Sequence, residues 1–225
     1  MTELELWEAE SRDEFAASVA GDVGFIIDSA LEARREALVA LPWADFLEPA
    51  WEKLAAQSRD WRHVTIVPTD DALVSVEDER SRTVKFARLF MPKGARVLPL
   101  ANENEDLSLA GGAANARLSD LGWPLDLVLL AIDEGDESAG FVRGEGLDRI
   151  IASEEDIRAT AVETQDGPVA AVSAHTVAKA RTVMIAATKT ARGVLDALAT
   201  GEKASPIGRV LEKVTVPVDA HVLAG

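Results

Sequence analysis

The chain has 225 residues, with 23 Lys+Arg against 39 Asp+Glu, a formal net charge of −16. That length can bury a full core without staples, and a surface so negative repels phosphodiester backbones and anionic lipid, so neither nucleic acid nor membrane is an expected partner. Cysteine is absent and histidine occurs three times, which excludes disulfides, thiolate metal sites and thiol catalysis and argues against a multi-histidine centre. No metal and no cofactor is expected.

No apolar run reaches the ~18–20 residues of a spanning helix. The acidic start MTELELWEAESRDEF lacks the basic and apolar stretches of a signal peptide. A single cytoplasmic domain over residues 1–225 is the expectation, with the oligomeric state left open.

Ser11-Arg-Asp-Glu14 reads as a capping box. Behind it Phe15, Val19, Val23, Ile26, Ala30 and Leu31 form one apolar stripe on a long helix ending near Arg35. Ala37–Leu41 is a short apolar run stopped by Pro42, which suits a strand buried on both faces. Asp45 is placed to cap a second helix reaching about Gln57. Val64–Val67 is a β-branched strand followed by the acidic pair Asp70-Asp71. Ser81 to Phe90 reads as a helix. Arg96–Leu100 reads as a strand that Pro99 shortens or sets at an edge. Leu107–Leu121 reads as a helix despite Gly111-Gly112. Leu125–Ile132 is the strongest strand of the chain and should be central. A glycine-rich loop follows, from Gly135 to Gly146. Ala159–Glu163 and Ala170–Ala174 flank an Asp166-Gly167-Pro168 turn as a hairpin. Thr176–Arg181 is a short helix, Thr182–Ala187 a strand, Lys189–Thr200 a helix and Val214–Val218 a last strand.

Strands alternating with helices imply an α/β fold. The expectation is a mostly parallel open sheet, Rossmann-like, with helices on both faces and some antiparallel pairing in the C-terminal half. Ligands bind such sheets at the carboxyl ends of the strands, which directs attention to Pro42–Asp45, Thr69–Ala72 and Asp133–Gly144.

Three stretches carry a resemblance: Asp60–Val67 leading into Thr69-Asp70, Trp123–Leu130, and Ala178–Arg181 leading into Val183–Ala187. With their order and spacing from about Leu38 to Val222, the chain resembles 6-phosphogluconolactonase and glucosamine-6-phosphate deaminase, the sugar-phosphate isomerase-like group. The resemblance implies a small sugar phosphate or its lactone as partner, a lactone hydrolase of carbohydrate metabolism (pentose phosphate pathway type), and no cofactor. It also marks departures. The family's glycine loop after the first strand falls on Ala40-Leu-Pro-Trp-Ala44, which has no glycine. In the family's acid–acid–arginine motif Asp70 is kept and the arginine falls on Ala72. A Ser-Asn pair falls on Ser81-Arg82. The catalytic histidine falls on Glu137, a second arginine on Val169, and a phosphate-side lysine on Lys189.

A carboxylate serves as general base when its surroundings raise its pKa. Glu137 lies among Asp133, Glu134 and Asp136, so this segment reads either as a base-bearing loop or as a solvated acidic loop over an abandoned site. The resemblance therefore gives Glu137 or Asp70 as the group that activates water. It gives Lys189, with Arg82 or Arg143, as the anion holder, and Trp43 as a residue placed to plug the old phosphate loop. His63, His175 and His221 share no metal-ligand spacing, and Gly140, Gly144 and Gly146 do not form a dinucleotide fingerprint. The two functions left open are an impaired lactone hydrolase and a catalytically silent ligand-binding or interaction relative on the same scaffold.

Overall fold

The computed structural model describes residues 3–104, 106–135, 137–151 and 156–224. Strand β1 (Leu4–Ala9) leads into helix α1 (Arg12–Arg34). Ser11 accepts from the Glu14 amide at 3.2 Å, and the Glu14 carboxylate reaches back to the amide of Glu10 at 3.0 Å. The reciprocal bond of the capping box is thus displaced by one residue from the expected Ser11 amide. Then follow β2 (Ala37–Leu41), α2 (Glu48–Ala56), β3 (Val64–Pro68), the short β4 (Asp70–Ala72), α3 (Arg82–Phe90) and β5 (Arg96–Val97). The second half holds α4 (Leu107–Ser119), β6 (Leu127–Ile132), α5 (Glu145–Ile151), β7 (Ala159–Thr164), β8 (Gly167–Val172) and α6 (Ala174–Lys179). It ends in β9 (Thr182–Thr188), α7 (Arg192–Ala199), α8 (Pro206–Leu211) and β10 (Val218–Leu223).

Seven strands form one parallel sheet in the order β1-β10-β9-β6-β2-β3-β5. A second, antiparallel sheet has the order β4-β8-β7. The fold is the expected mostly parallel α/β sheet, with β6 at its centre and the antiparallel pairing supplied by the 159–172 hairpin.

Period-2 alternation sorts the buried strands between two cores. Leu127 and Leu129 of β6, with Met184 and Ala186 of β9, pack with Phe15, Trp51 and Phe86 of α1, α2 and α3. Val128, Leu130 and Ile132, with Val183 and Ile185, face the other way onto α4, α6, α8 and the small sheet. Helices therefore cover both faces, which is why these strands read as continuous apolar runs.

Five expectations need correction. The last strand is Val218–Leu223, not Val214–Val218; Pro217 has no amide to enter the ladder, and Val218 donates to Glu3 at 2.8 Å as the strand begins. The N-terminal β1 and the helices α5 and α8 were not expected at all. Asp45 begins a 3-10 turn over Asp45–Leu47 whose N-cap is Ala44, so it caps no helix with its side chain.

The two sheets are joined at the C-terminal end of β3. The Thr69 amide donates to Leu41 O, and the Thr69 carbonyl accepts from Val172 N, each at 2.9 Å. This stitch sets β4 and β8 over the carboxyl ends of β2 and β3.

Candidate functional site

A cleft of about 840 Å³ lies at that junction. Asp70, on β4, is 5% exposed at its floor. Its neighbour Asp71 points the other way, as alternation along a strand requires. Asp71 accepts from the Arg82 amide at 2.6 Å, the Thr83 amide at 3.2 Å and the Thr83 hydroxyl at 2.5 Å. Ser81 accepts from the Val84 amide at 3.3 Å. The first turn of α3 is therefore fully capped, and the backbone of Arg82 is fixed. From there the guanidinium reaches the cleft, with Nη1 2.7 Å from Asp70 Oδ2, a close charge contact without an aligned hydrogen bond.

Glu137 comes from the loop after β6. Its Oε1 accepts from the Arg143 amide at 2.6 Å, closing the loop on itself. Inside that closure Ser138 and Phe141 form a tight turn, with Ala139 at φ 51°. Gly140 lies so close to β8 that a Cβ there would sit 2.5 Å from the Ala171 Cβ. Ala171 is also the partner of Asp70 across the β4–β8 ladder. One strand, β8, thus sets the position of both acids. Asp136, named with Glu137 as a crowding carboxylate, lies outside the described residues.

Burial pushes the Asp70 carboxyl above its usual range; Arg82 opposes this, and the Asp71 charge adds to it. Burial likewise raises Asp71, against the pull of its hydrogen bonds from Thr83 and Arg82. Glu137 is half-buried.

Trp43 forms a wall of the cleft. Its ring meets Phe86 edge-on at 5.0 Å, and Lys85 Nζ lies over the ring, 5.7 Å from its centroid. The segment before it offers no cradle of amides: Pro42 has no N–H, and its carbonyl accepts from Trp51 Nε1 at 3.2 Å. The two positions where the resemblance sets arginines, Ala72 and Val169, pair directly across β4 and β8.

Five of the six residues singled out from the sequence therefore line one cleft: Trp43, Asp70, Arg82, Glu137 and Arg143. The sixth, Lys189, lies apart. It lines a neighbouring recess of about 370 Å³ with Arg12, Thr188 and Thr190, separated by the Asp133 turn whose carbonyl both threonine hydroxyls hold at 2.5 Å. The two hollows share Asp45 and Glu134. Lys189 starts a 3-10 turn, so the expected α-helix begins later, at Arg192. The cleft also holds Arg80 and Lys85, which sequence reasoning passed over. Lys85 follows Arg82 by three residues on α3, a same-face spacing that the helix assignment already contained. Arg80 is tied to Asp78 through two bonds at 3.1 and 2.8 Å. Among the described residues no group of three or more His, Asp or Glu side chains is placed to hold a metal ion.

Comparison with known proteins agrees with this architecture. The model of the family described as glucosamine-6-phosphate isomerases/6-phosphogluconolactonase matches residues 10–220. A 6-phosphogluconolactonase of Rhizobium meliloti is 30% identical over 138 residues, 60% of this chain and 60% of that protein. One from Pseudomonas putida is 31% identical over 137 residues, 59% of this chain and 56% of the relative. The chain thus spans about three fifths of the length of the curated relatives it matches. Among solved structures, a 6-phosphogluconolactonase from Shewanella baltica superposes with a TM-score of 0.86 at 18% identity, covering 100% of this chain and 98% of that one. A monomeric glucosamine-6-phosphate deaminase gives a TM-score of 0.76 at 13% identity, covering 98% of each chain. At such identities the structures speak for the fold alone. With the family model matching nearly the whole chain on the same fold, the protein belongs to the glucosamine-6-phosphate isomerase/6-phosphogluconolactonase family.

Proposed function

We propose that the protein hydrolyses the lactone of a sugar phosphate, acting as a 6-phosphogluconolactonase-like enzyme with reduced activity. The observation that carries this reading is the meeting of Asp70 and Glu137, from separate elements, in one cleft with Arg82, Arg80, Lys85 and Arg143.

Hydrolysis needs a base for the attacking water and an acid for the departing ring oxygen. Glu137, half-buried at the cleft, takes the water proton as the oxygen attacks the lactone carbonyl. Buried Asp70, whose surroundings favour the neutral carboxyl, gives its proton to the ring oxygen as the C–O bond breaks. Two carboxyl groups in unlike surroundings can divide the acid and base roles in this way. The arginines attract the substrate's phosphate, and the cationic wall favours the oxyanion of the tetrahedral intermediate. Positive charge supplied by α3 and the 137–143 loop stands in for the arginines absent at Ala72 and Val169.

The reduction in activity rests on two features. The Leu41-Pro42-Trp43 corner cannot wrap a phosphate in backbone amides, and each charge-assisted hydrogen bond lost is worth about 1.5–3 kcal/mol of binding. A carboxylate is also intrinsically a weaker base than an imidazole.

The test is turnover of 6-phosphoglucono-lactone above its spontaneous hydrolysis. Glu137→Gln should lower the excess rate by about 10²–10⁴-fold while retaining the fold. Full activity in that variant would move the base elsewhere. No excess in the folded parent protein would favour the catalytically silent reading.

A further inference from the structure

We propose that Arg82 is shared between Asp70 and the anionic end of the ligand, so that an anion entering the cleft draws the guanidinium away and Asp70 takes up a proton from solvent. This rests on the reading of the cleft as an anion-binding site and says how its acid is armed.

The geometry singles out this pair. Asp70 is held on two sides, by its ladder to Ala171 and by the Thr69 stitch between the sheets. The Arg82 backbone is held by Asp71. The Arg82 side chain is the more exposed of the two, 28% against 7% for that of Asp70, although its Nη1 atom is buried against the acid. Its Nη1 sits at ion-pair distance from Asp70 but makes no aligned hydrogen bond. It is therefore attracted by charge without being locked by direction. A phosphate offers three acceptor oxygens and more negative charge than one carboxylate, and a guanidinium favours a two-pronged contact with it.

Once Arg82 turns to the anion, the cation that offsets burial at Asp70 is gone, and the other charged groups of the cleft come from the elements around it. On its own strand is Asp71, turned to the start of α3. The loop after β6 contributes Glu134, Glu137 and Arg143, and the β7–β8 turn contributes Asp166. Asp45 stands after β2; Lys85 stands on α3, and Arg80, already bound to Asp78, just before it. Facing Asp70 from β8 is the apolar Ala171. Burial is the largest influence raising Asp70 and Arg82 the first one opposing it. Withdrawing Arg82 leaves burial unopposed by its nearest cation, and the bound anion adds repulsion. The acid is thus neutral when substrate is in place and paired when the cleft is empty.

The sign of the linkage follows. Binding takes up a proton, so anion affinity falls as pH rises. Calorimetry with 6-phosphogluconate at pH 7, in buffers of differing ionisation enthalpy, reads the protons taken up per ligand bound. The probe's own phosphate, with a second pKa near ~6, contributes alike in every variant. The parent should therefore take up more protons than Asp70→Asn, and Asp70→Asn should bind tenfold or more tighter, because Arg82 no longer has a competitor. Arg82→Gln, a second variant that leaves all of Asp71's bonds in place because Arg82 contributes only its backbone amide to them, should lose most of the affinity and the excess protons together. Equal proton counts in parent and Asp70→Asn, unchanged or weaker binding in Asp70→Asn, parent-like binding in Arg82→Gln, or no binding at millimolar probe would each overturn the proposal. Proton-linked binding without lactone turnover would remove the hydrolase reading and leave this one standing; turnover with equal proton counts would do the reverse.

Discussion

Asp70 and Asp71 are adjacent, both buried and both pushed upward in pKa by that burial, yet they should answer mutation in opposite ways. Asp71 satisfies two amides and a hydroxyl at the start of α3. Asp71→Ala leaves these donors without acceptors in a buried place, at about 1–3 kcal/mol for each one that water cannot reach. Asp70 has no comparable set of donors. A carboxyl whose folded pKa is raised contributes stability that is full below its unfolded value near 3.8 and is lost as pH rises through the folded value. As pH rises toward neutrality Asp70 therefore costs stability rather than adding to it. Asp70→Asn should raise the midpoint of thermal unfolding at pH 7 and lose this advantage on acidification, while Asp71→Ala lowers it throughout. A fall in stability for Asp70→Asn at pH 7 would show that the Arg82 contact outweighs burial. Stability surrendered at a residue that ligand later engages is a common mark of a functional site.

At the level of elements, much of the site was legible in the sequence because strand ends and caps have local signals. Thr69-Asp70 follows a β-branched strand, and Ser81 caps α3 where a serine precedes an apolar stripe. What was not legible depended on long-range packing. In strand β1 only Leu4 and Leu6, half-buried, and Ala9, buried, turn inward among Glu3, Glu5 and Glu8, so its pattern reads as an acidic tail until β10 is placed beside it. The Val214–Val218 run has the composition of a strand, but pairing starts only past Pro217. Lys189 keeps its place at the end of β9, and the 133–135 turn puts it on the far side of the cleft's rim. The loop carrying Glu137 gave composition but no geometry; its position comes from Gly140 resting on Ala171. Gly140→Ala tests that dependence. The new methyl would overlap the Ala171 methyl, with Val162 and Ile150 close behind at 3.2 and 3.3 Å. Relief requires the 137–143 loop to lift from β8, at about 1–3 kcal/mol of overpacking. Lactone turnover should fall much further than stability, whereas a parent-like rate would detach Glu137 from the chemistry.

Across the whole molecule, the two faces of the parallel sheet are secured differently, and the α1 face carries a polar contact in its core. His221, on β10, is 2% exposed. Its Nδ1 is 3.1 Å from the Ser18 hydroxyl, and its Nε2 is 2.9 Å from Asp22 Oδ2, both partners belonging to α1. Two influences compete at this imidazole: burial lowers its pKa below the ordinary 6.5, while Asp22, and Asp219 less strongly, raise it. Burial prevails, because the Asp22 side chain is 57% exposed and water screens its charge. The unfolded chain therefore binds the proton more readily than the folded one. A histidine with a lowered folded pKa contributes stability that is full above about pH 6.5 and is lost as pH falls from there through the folded value. Asp70 and Asp71 pull in the opposite direction over the acid range, since their folded forms accept protons early. Acidification from pH 7 to 5 should accordingly loosen the α1–β10 contact while the cleft gains stability. His221→Gln keeps a polar side chain of similar reach and removes the titration. Its unfolding midpoint should be lower than the parent's at pH 7.5, and the gap should narrow steadily toward pH 5, with hydrogen exchange in α1 showing the same convergence. A constant gap across that range would mean that His221 acts through packing and the Ser18 contact alone.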